Sequence, residues 1–322
     1  MRQFVVLVCF FCLISCSGQK ETENKMEITI LKDSIYKIKS NQKDVLIEKK
    51  DMEKNIKNIE FKINSNIKDC LYKIYVDDIL INNGIANEKN HGVVSIDASI
   101  NHTLLKSGKH NFRMEMFPIP GKNVLGEFSY GDFKLWFWDV DKQEDDGISV
   151  LSMRTPSDNL IHQLPFFKLE TEINLELPFS IVGWTNSINL KEEMENGKDL
   201  KREIQNSYDN IITIIKNRDV QAFSKLIKER EELLGVAFYS TAQEKKDNLN
   251  EFLEIIQNPD YELQPYPEKA ELHFFAYGKL ITLSSPIRES VIELINKKTE
   301  KIISLDFYLH RKSKGSQLEV IL

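Results

Sequence analysis

Three short stretches of the chain carry side chains whose type and spacing suit chemistry. Asp306-Phe307-Tyr308-Leu309-His310 reads as a strand. Phe307 and Leu309 suit a core face, which leaves Asp306, Tyr308 and His310 in a row on the opposite one. A carboxylate, a phenol and an imidazole can do acid–base work if their face lines a closed cavity; otherwise they form an ordinary solvent-facing row, the reading adopted. Leu135-Trp136-Phe137-Trp138 is apolar on both faces of a strand. Trp136 and Trp138 then pack under a second layer or stand as an aromatic platform that stacks sugars or anchors a partner. Core packing is the reading adopted. Asp139 to Gly147 is rich in carboxylates, but an EF-hand loop needs glycine at its sixth position and glutamate at its twelfth. Those positions hold Glu144 and Val150, so the stretch reads as a solvated turn.

Nothing else in the sequence nominates a reaction centre. The six histidines are scattered, with no zinc-protease pair. There is no glycine-rich phosphate loop and no G-x-S-x-G elbow. The sequence thus assigns no catalytic residue, no metal and no cofactor. Trp136, Trp138, Asp306, Tyr308 and His310 remain as binding candidates.

Charge and cysteines narrow the partners. Lysine and arginine total 43 against 49 acidic residues, a formal charge of −6. Such a chain lacks the basic footprint of a nucleic-acid binder and the polybasic patch of an electrostatic membrane anchor. Of its four cysteines, Cys9, Cys12 and Cys16 crowd the N-terminus and only Cys70 lies beyond it. One thiol cannot close an intrachain disulfide, so the fold must stand on packing; Cys70, in the strand-like CLYKIYV, reads as a small buried hydrophobe.

The N-terminus gives the address. Arg2 is a short positive start, and Phe4 to Ile14 is an apolar run too short for a stable membrane span. Leu13-Ile14-Ser15-Cys16 at its end resembles the lipobox of bacterial lipoproteins. The resemblance implies that residues 1–15 are a signal peptide and that Cys16 is lipidated and becomes the first mature residue. The protein would then sit in the bacterial cell envelope, outside the cytoplasm, held to a membrane by the lipid on Cys16. Three acyl chains, typical of such a cysteine, hold far more strongly than a single one.

The elements that must position the candidates follow in order. Residues 16–27 are polar and aperiodic, a tether. From Ile28 to Ile63 the apolar spacing fits either a coiled coil or short strands over Glu27–Leu31, Ile35–Lys39, Asp44–Glu48 and Ile56–Asn64; strands are favoured. Further strand signals recur at Leu71–Val76, Ile79–Ile81, Val93–Ile96, His110–Phe117, Phe133–Val140, Phe166–Leu177 and Phe179–Trp184, with a turn at Asn82-Asn83-Gly84. Many short strands with little helix predict a β-sandwich over 28–187. The stretch LLKSGKHNFRMEMFP from Leu104 is similar to a strand pair of immunoglobulin-like modules, a likeness that carries no function.

At Asn189 the texture changes. Asn189 with Glu192, Asp219, and Thr241 with Glu244 are helix-start signals, each followed by an apolar stripe. Strands are then expected at Tyr261–Leu263, Ala270–Tyr277, Lys279–Leu283, Ser290–Ile295, Lys301–His310 and Gln317–Leu322. Helices followed by an antiparallel meander predict an α+β domain over 188–322. This order is similar to the cystatin-like cone of the nuclear-transport-factor and ketosteroid-isomerase type. The sequence therefore reads as a non-enzymatic, lipid-anchored envelope protein binding an unknown protein partner, as an inhibitor or immunity-type module. The alternatives are a carbohydrate-binding lipoprotein, or an enzyme with a pocket in its C-terminal domain.

Overall fold

The computed structural model describes residues 26–31, 35–40, 58–87, 92–142, 147–156, 161–285 and 290–322. The expected signal segment, Cys16 and the strand expected at Asp44–Glu48 lie outside them. Strands β1 (Met26–Leu31) and β2 (Ile35–Ser40) pair antiparallel, so the two-way N-terminal pattern is extended there.

Eight further strands follow. They are β3 (Ile59–Lys68), β4 (Cys70–Val76), β5 (Ile79–Ala86), β6 (Val93–Ser99), β7 (Gly108–Phe117), β8 (Tyr130–Asp139), β9 (Ile148–Arg154) and β10 (Phe167–Leu175). They form two antiparallel sheets, ordered β6-β3-β8-β9 and β10-β7-β4-β5. The alternation read from the sequence puts Phe61, Ile63, Phe133, Leu135 and Phe137 of one sheet in the same core as Ile74, Phe112, Met114 and Leu169 of the other. Phe112 meets Phe133 edge-on across that core, ring centroids 6.0 Å apart. Cys70 is fully buried there.

Three details depart from the sequence expectations. Asn82-Asn83-Gly84 is not a turn. The chain reverses at Asp77-Asp78, both at positive φ, and β5 runs straight through the Asn-Asn-Gly stretch. The glycine is needed there because a Cβ on Gly84 would lie 2.9 Å from Tyr72 Oη, which donates to Asn82 Oδ1 at 3.0 Å. Phe179–Trp184 forms no strand, yet it buries Ile181 and Trp184. Trp136 and Trp138 are outside the core: Leu135 and Phe137 fill the packed face of β8, and the tryptophans lie half-buried on the other face.

The C-terminal half opens with helices α1 (Leu190–Glu195), α2 (Leu200–Lys216), α3 (Val220–Leu226), α4 (Lys228–Ala237) and α5 (Ala242–Gln257). The expected caps are present: Asn189 accepts from Glu192 N–H, Asp219 from Ala222 N–H, and Thr241 with Glu244 closes a full capping box. Seven strands follow: β11 (Tyr261–Leu263), β12 (Glu271–Phe275), β13 (Leu280–Ser284), β14 (Glu293–Asn296), β15 (Ile302–Ser304), β16 (Leu309–His310) and β17 (Glu319–Val320). They make two antiparallel sheets, β11-β14-β15 and β12-β13-β16-β17, where one meander was expected. Leu200, Ile204, Tyr208, Ile211 and Ile215 of α2 share a core with Ile281, Leu294, Phe307 and Leu309. The chain is thus a sheet-rich α+β fold.

The strand expected over Lys301–His310 is broken, and the cause lies a hundred residues upstream. Tyr208 inserts its hydroxyl where β13 and β16 would continue to pair. It donates to Phe307 O at 2.9 Å, accepts from Leu283 N–H at 3.2 Å and lies 2.9 Å from Thr282 Oγ1. The ladder survives only at Ile281 and Leu309.

A third cluster joins the halves. Tyr75, Ile79, Leu105, Ile181 and Trp184 pack with Leu233, Ala237, Phe275, Leu280, Ile321 and Leu322. Such burial stabilises by about 1.5–3 kcal/mol per large side chain, so the two halves should unfold together. Leu280, fully buried in this cluster, gives the test. Leu280→Ala should cost about 2–5 kcal/mol and shift one calorimetric transition of the whole chain. Two transitions, with only one displaced, would contradict the coupling.

Candidate functional site

The two halves leave an open cleft of roughly 1390 Å³ at the rim of their shared cluster. Lys73, Tyr75, Asp78 and Arg113 line it from β4, β7 and the β4–β5 turn; Glu271, His273, Thr282, Asp306 and Tyr308 line it from the C-terminal half. Clefts between packed units are preferred places for ligands.

Its first wall is prearranged. The Arg113 guanidinium lies over the Tyr75 ring, 4.1 Å from the centroid. Its Nη2 donates to Asp78 Oδ1 at 3.1 Å, and Nε approaches Glu115 Oε1 at 3.1 Å as an ion pair that is poorly aligned as a hydrogen bond. Burial disfavours the guanidinium charge, but these carboxylates outweigh it and raise the Arg113 pKa. Burial, helped by Glu115, pushes the Tyr75 phenol up to about 12.

Asp78 also reaches the other half. Its Oδ2 accepts from Tyr277 N–H at 2.9 Å and its carbonyl from Ala276 N–H at 3.2 Å. These N–H groups point outward because Ala276, Tyr277 and Gly278 all lie at positive φ in the tight β12–β13 connection. Gly278 is also pressed against Asn189, whose Oδ1 would lie 2.4 Å from an added Cβ.

Asp306 and Tyr308 do face the cleft. Tyr308 packs edge-on against Phe275 at 5.3 Å, and burial with the charge of Asp306 raises its pKa strongly. His310 is elsewhere. The row expected from alternation is covered unevenly: Asp306 is exposed, Tyr308 half-buried, and His310 only 1% exposed beneath α4 and the loop before α1. There its Nδ1 is 2.8 Å from Ser187 Oγ and its Nε2 is 3.4 Å from Glu229 Oε2. Ser187 and Glu229 were invisible to sequence reasoning, since neither sits in a motif and they come from a loop and a helix far from His310.

Serine, histidine and glutamate in this order have the connectivity of a nucleophile, a base and its orienting carboxylate. The surroundings do not serve acyl transfer. Ser187 and His310 are closed to solvent, and the N–H groups of Ser187 and Ile188 already donate to Trp184 O and Arg311 O. No donor is left at that point for an oxyanion. The trio ties α4 and the loop before α1 to β16. Beside it, buried Arg311 donates to Glu193 Oε2 at 3.0 Å and Glu203 Oε1 at 2.6 Å, joining the first two helices to the same strand.

Among the described residues no three histidine, cysteine or acidic side chains converge to hold a metal ion. Asp139 accepts from Asp141 N–H and pairs with Lys142 at the start of the acidic turn, whose residues 143–146 lie outside the described ones. Burial, with the Asp69 charge, pushes the Cys70 thiol up to about 12, which keeps it protonated and unreactive.

Two histidines set an acid limit. Burial, with the Arg230 charge, lowers His102 to about 4, and burial lowers His310 against the opposing pull of Glu229. Between the unfolded value near 6.5 and these depressed values, the unfolded chain binds protons that the fold does not. Stability from both groups is therefore full above pH 6.5 and is lost as pH falls toward 4. For His102 the loss is at most about 3 kcal/mol. Denaturant midpoints from pH 7 to 4 should fall accordingly, and less steeply in His102→Phe. Parallel curves would contradict the assignment. His310→Ala, which leaves the buried Ser187 hydroxyl without this partner, should cost about 1–3 kcal/mol.

Compared with models of protein families, with curated proteins and with solved structures, the chain matches none.

Proposed function

We propose that this protein is a non-enzymatic lipoprotein of the bacterial cell envelope, anchored through Cys16, that binds a protein partner in the cleft between its halves. The anchoring rests on Leu13-Ile14-Ser15-Cys16 at the end of an apolar run. Among the described residues no helix is long and apolar enough to cross a membrane, so the lipid is the attachment this reading requires.

The binding part rests on one observation: both halves line the same open cleft, and their shared cluster fixes its walls. Preformed walls lower the entropy cost of binding. The enzyme alternative needs Asp306, Tyr308 and His310 on one cavity wall, and His310 does not line the cleft: it is closed to solvent beneath α4 and the loop before α1. In this reading the two N-terminal sheets form an immunoglobulin-like β-sandwich and residues 188–322 a cystatin-like unit docked on it.

Two experiments test the proposal. Metabolic labelling with a fatty acid should mark the wild type and not Cys16→Ala, which should stay an unprocessed precursor or become soluble; equal label in both would sink the anchoring. A photo-crosslinking amino acid placed at Glu271, exposed at the cleft, should give one discrete adduct in living cells. The same probe at Asp219, on the helical side, should give none. Identical patterns from the two positions would remove the cleft from consideration.

A further inference from the structure

The outer face of β8 carries Tyr130, Asp132, Lys134, Trp136 and Trp138 at alternating positions, with exposed Phe128 just before it. Tyr130 to Trp138 is eight residue steps, about 27 Å of strand. Phe128 is 59% and Tyr130 37% exposed, and the two tryptophans are half-buried at the far end. Between the aromatic ends the face is polar and already ordered. Asn66 N–H donates to Asp132 Oδ1 at 2.7 Å, Ser95 Oγ donates to Asn66 Oδ1 at 2.8 Å, and Tyr130 Oη donates to Asp132 Oδ2 at 3.1 Å. At the tryptophan end, Trp138 Nε1 donates to Glu60 Oε2 at 3.1 Å and Ser99 Oγ also bonds Glu60. Lys62 Nζ lies 5.6 and 5.8 Å from the two indole centroids. Trp136 Nε1, by contrast, is enclosed and has no acceptor, a costly state for an indole N–H.

We propose that this face is a saccharide-binding surface, in which the aromatic side chains stack on the apolar faces of sugar rings and the ordered carboxylates and amides take the hydroxyls. The chemistry distinguishes a glycan from a protein partner. A protein hot spot needs aromatic anchors grouped in one desolvated pocket, and here the Phe128–Tyr130 end and the tryptophan end of the face stand apart with charges between them. A hydroxyl-rich ligand matches that alternation of aromatic and polar groups. Charges of both signs, Glu60, Asp97 and Asp132 with Lys62, Lys134 and Arg154, suit a ligand without a strong charge of its own. Rigid strands hold these groups, which keeps the ordering cost of binding low. This surface belongs to the first half alone and is independent of the cleft.

The test titrates the full-length protein in detergent with cellohexaose, chitohexaose and maltohexaose and adds a pull-down on purified peptidoglycan. Tryptophan emission reports binding, with Trp184, buried between the halves, as a constant background. At least one glycan should bind, and Trp136→Ala and Trp138→Ala should each weaken that binding tenfold or more. Tyr130→Ala, a substitution at an exposed position that leaves folding intact, should weaken it about threefold, and Tyr308→Phe in the cleft should leave it unchanged. The proposal is overturned if none of the four probes binds, or if binding survives the tryptophan and Tyr130 substitutions. It is equally overturned if crosslinkers on this face capture a protein while every glycan fails.

Discussion

Asn101 sits fully buried where the two halves meet, and its amide is completely used. Its Oδ1 accepts from Phe61 N–H at 2.8 Å, and its Nδ2 donates to Ile59 O at 2.8 Å and to Ala237 O at 2.9 Å. One side chain thereby satisfies the start of β3 and the C-terminal end of α4. An unpaired buried amide costs about 1–3 kcal/mol per lost partner, so the halves cannot separate without exposing or stranding these groups. Tyr239 repeats the device: its hydroxyl bonds both the N–H and the carbonyl of Ile59. Around these polar ties the shared apolar cluster excludes water, which makes each tie stronger.

The rest of the architecture follows from that join. With α4 fixed against the first half, Leu233 and Ala237 are buried, and Glu229 one turn earlier is held beside His310. On the other side of the join the β4–β5 turn docks on the Ala276-Tyr277-Gly278 turn through Asp78. Both turns use positive φ in residues other than glycine, a strain that persists only where the surroundings fix it. The cleft is the space left between these two points of attachment. Its walls are therefore set by the join and need no ligand to form.

Helix caps and single-face alternation are legible in the sequence, whereas turns and faces whose partners come from distant residues are not. Asn189, Asp219 and Thr241 announce helices because a cap is satisfied within three residues. The alternation of Phe61 with Ile63, and of Phe133 with Leu135 and Phe137, reports a single buried sheet face without outside help. The acid–base row failed because α4 and the loop before α1 cover His310, through Glu229 and Ser187. The core reading of the tryptophans came from Leu135-Trp136-Phe137-Trp138 being apolar on both faces, and the sequence does not say that only one face is covered. Helix α4 escaped notice because its buried residues Leu233 and Ala237 face the other half, so its apolar stripe is weak on its own. Ser187 and Glu229 carry no local signal, since their meaning comes only from His310.

The join makes the two halves one cooperative unit with a preformed cleft. Native-state hydrogen exchange at the Phe61 amide reads it directly, because that N–H is bonded to the Asn101 side chain and to the join itself. Phe61 should exchange only by global unfolding, with the same free energy as core amides of β13 and α2 in the other half. Exchange of Phe61 through a much cheaper opening, while those amides stay protected, would show that the halves part locally and that the cleft is not a fixed feature of the fold.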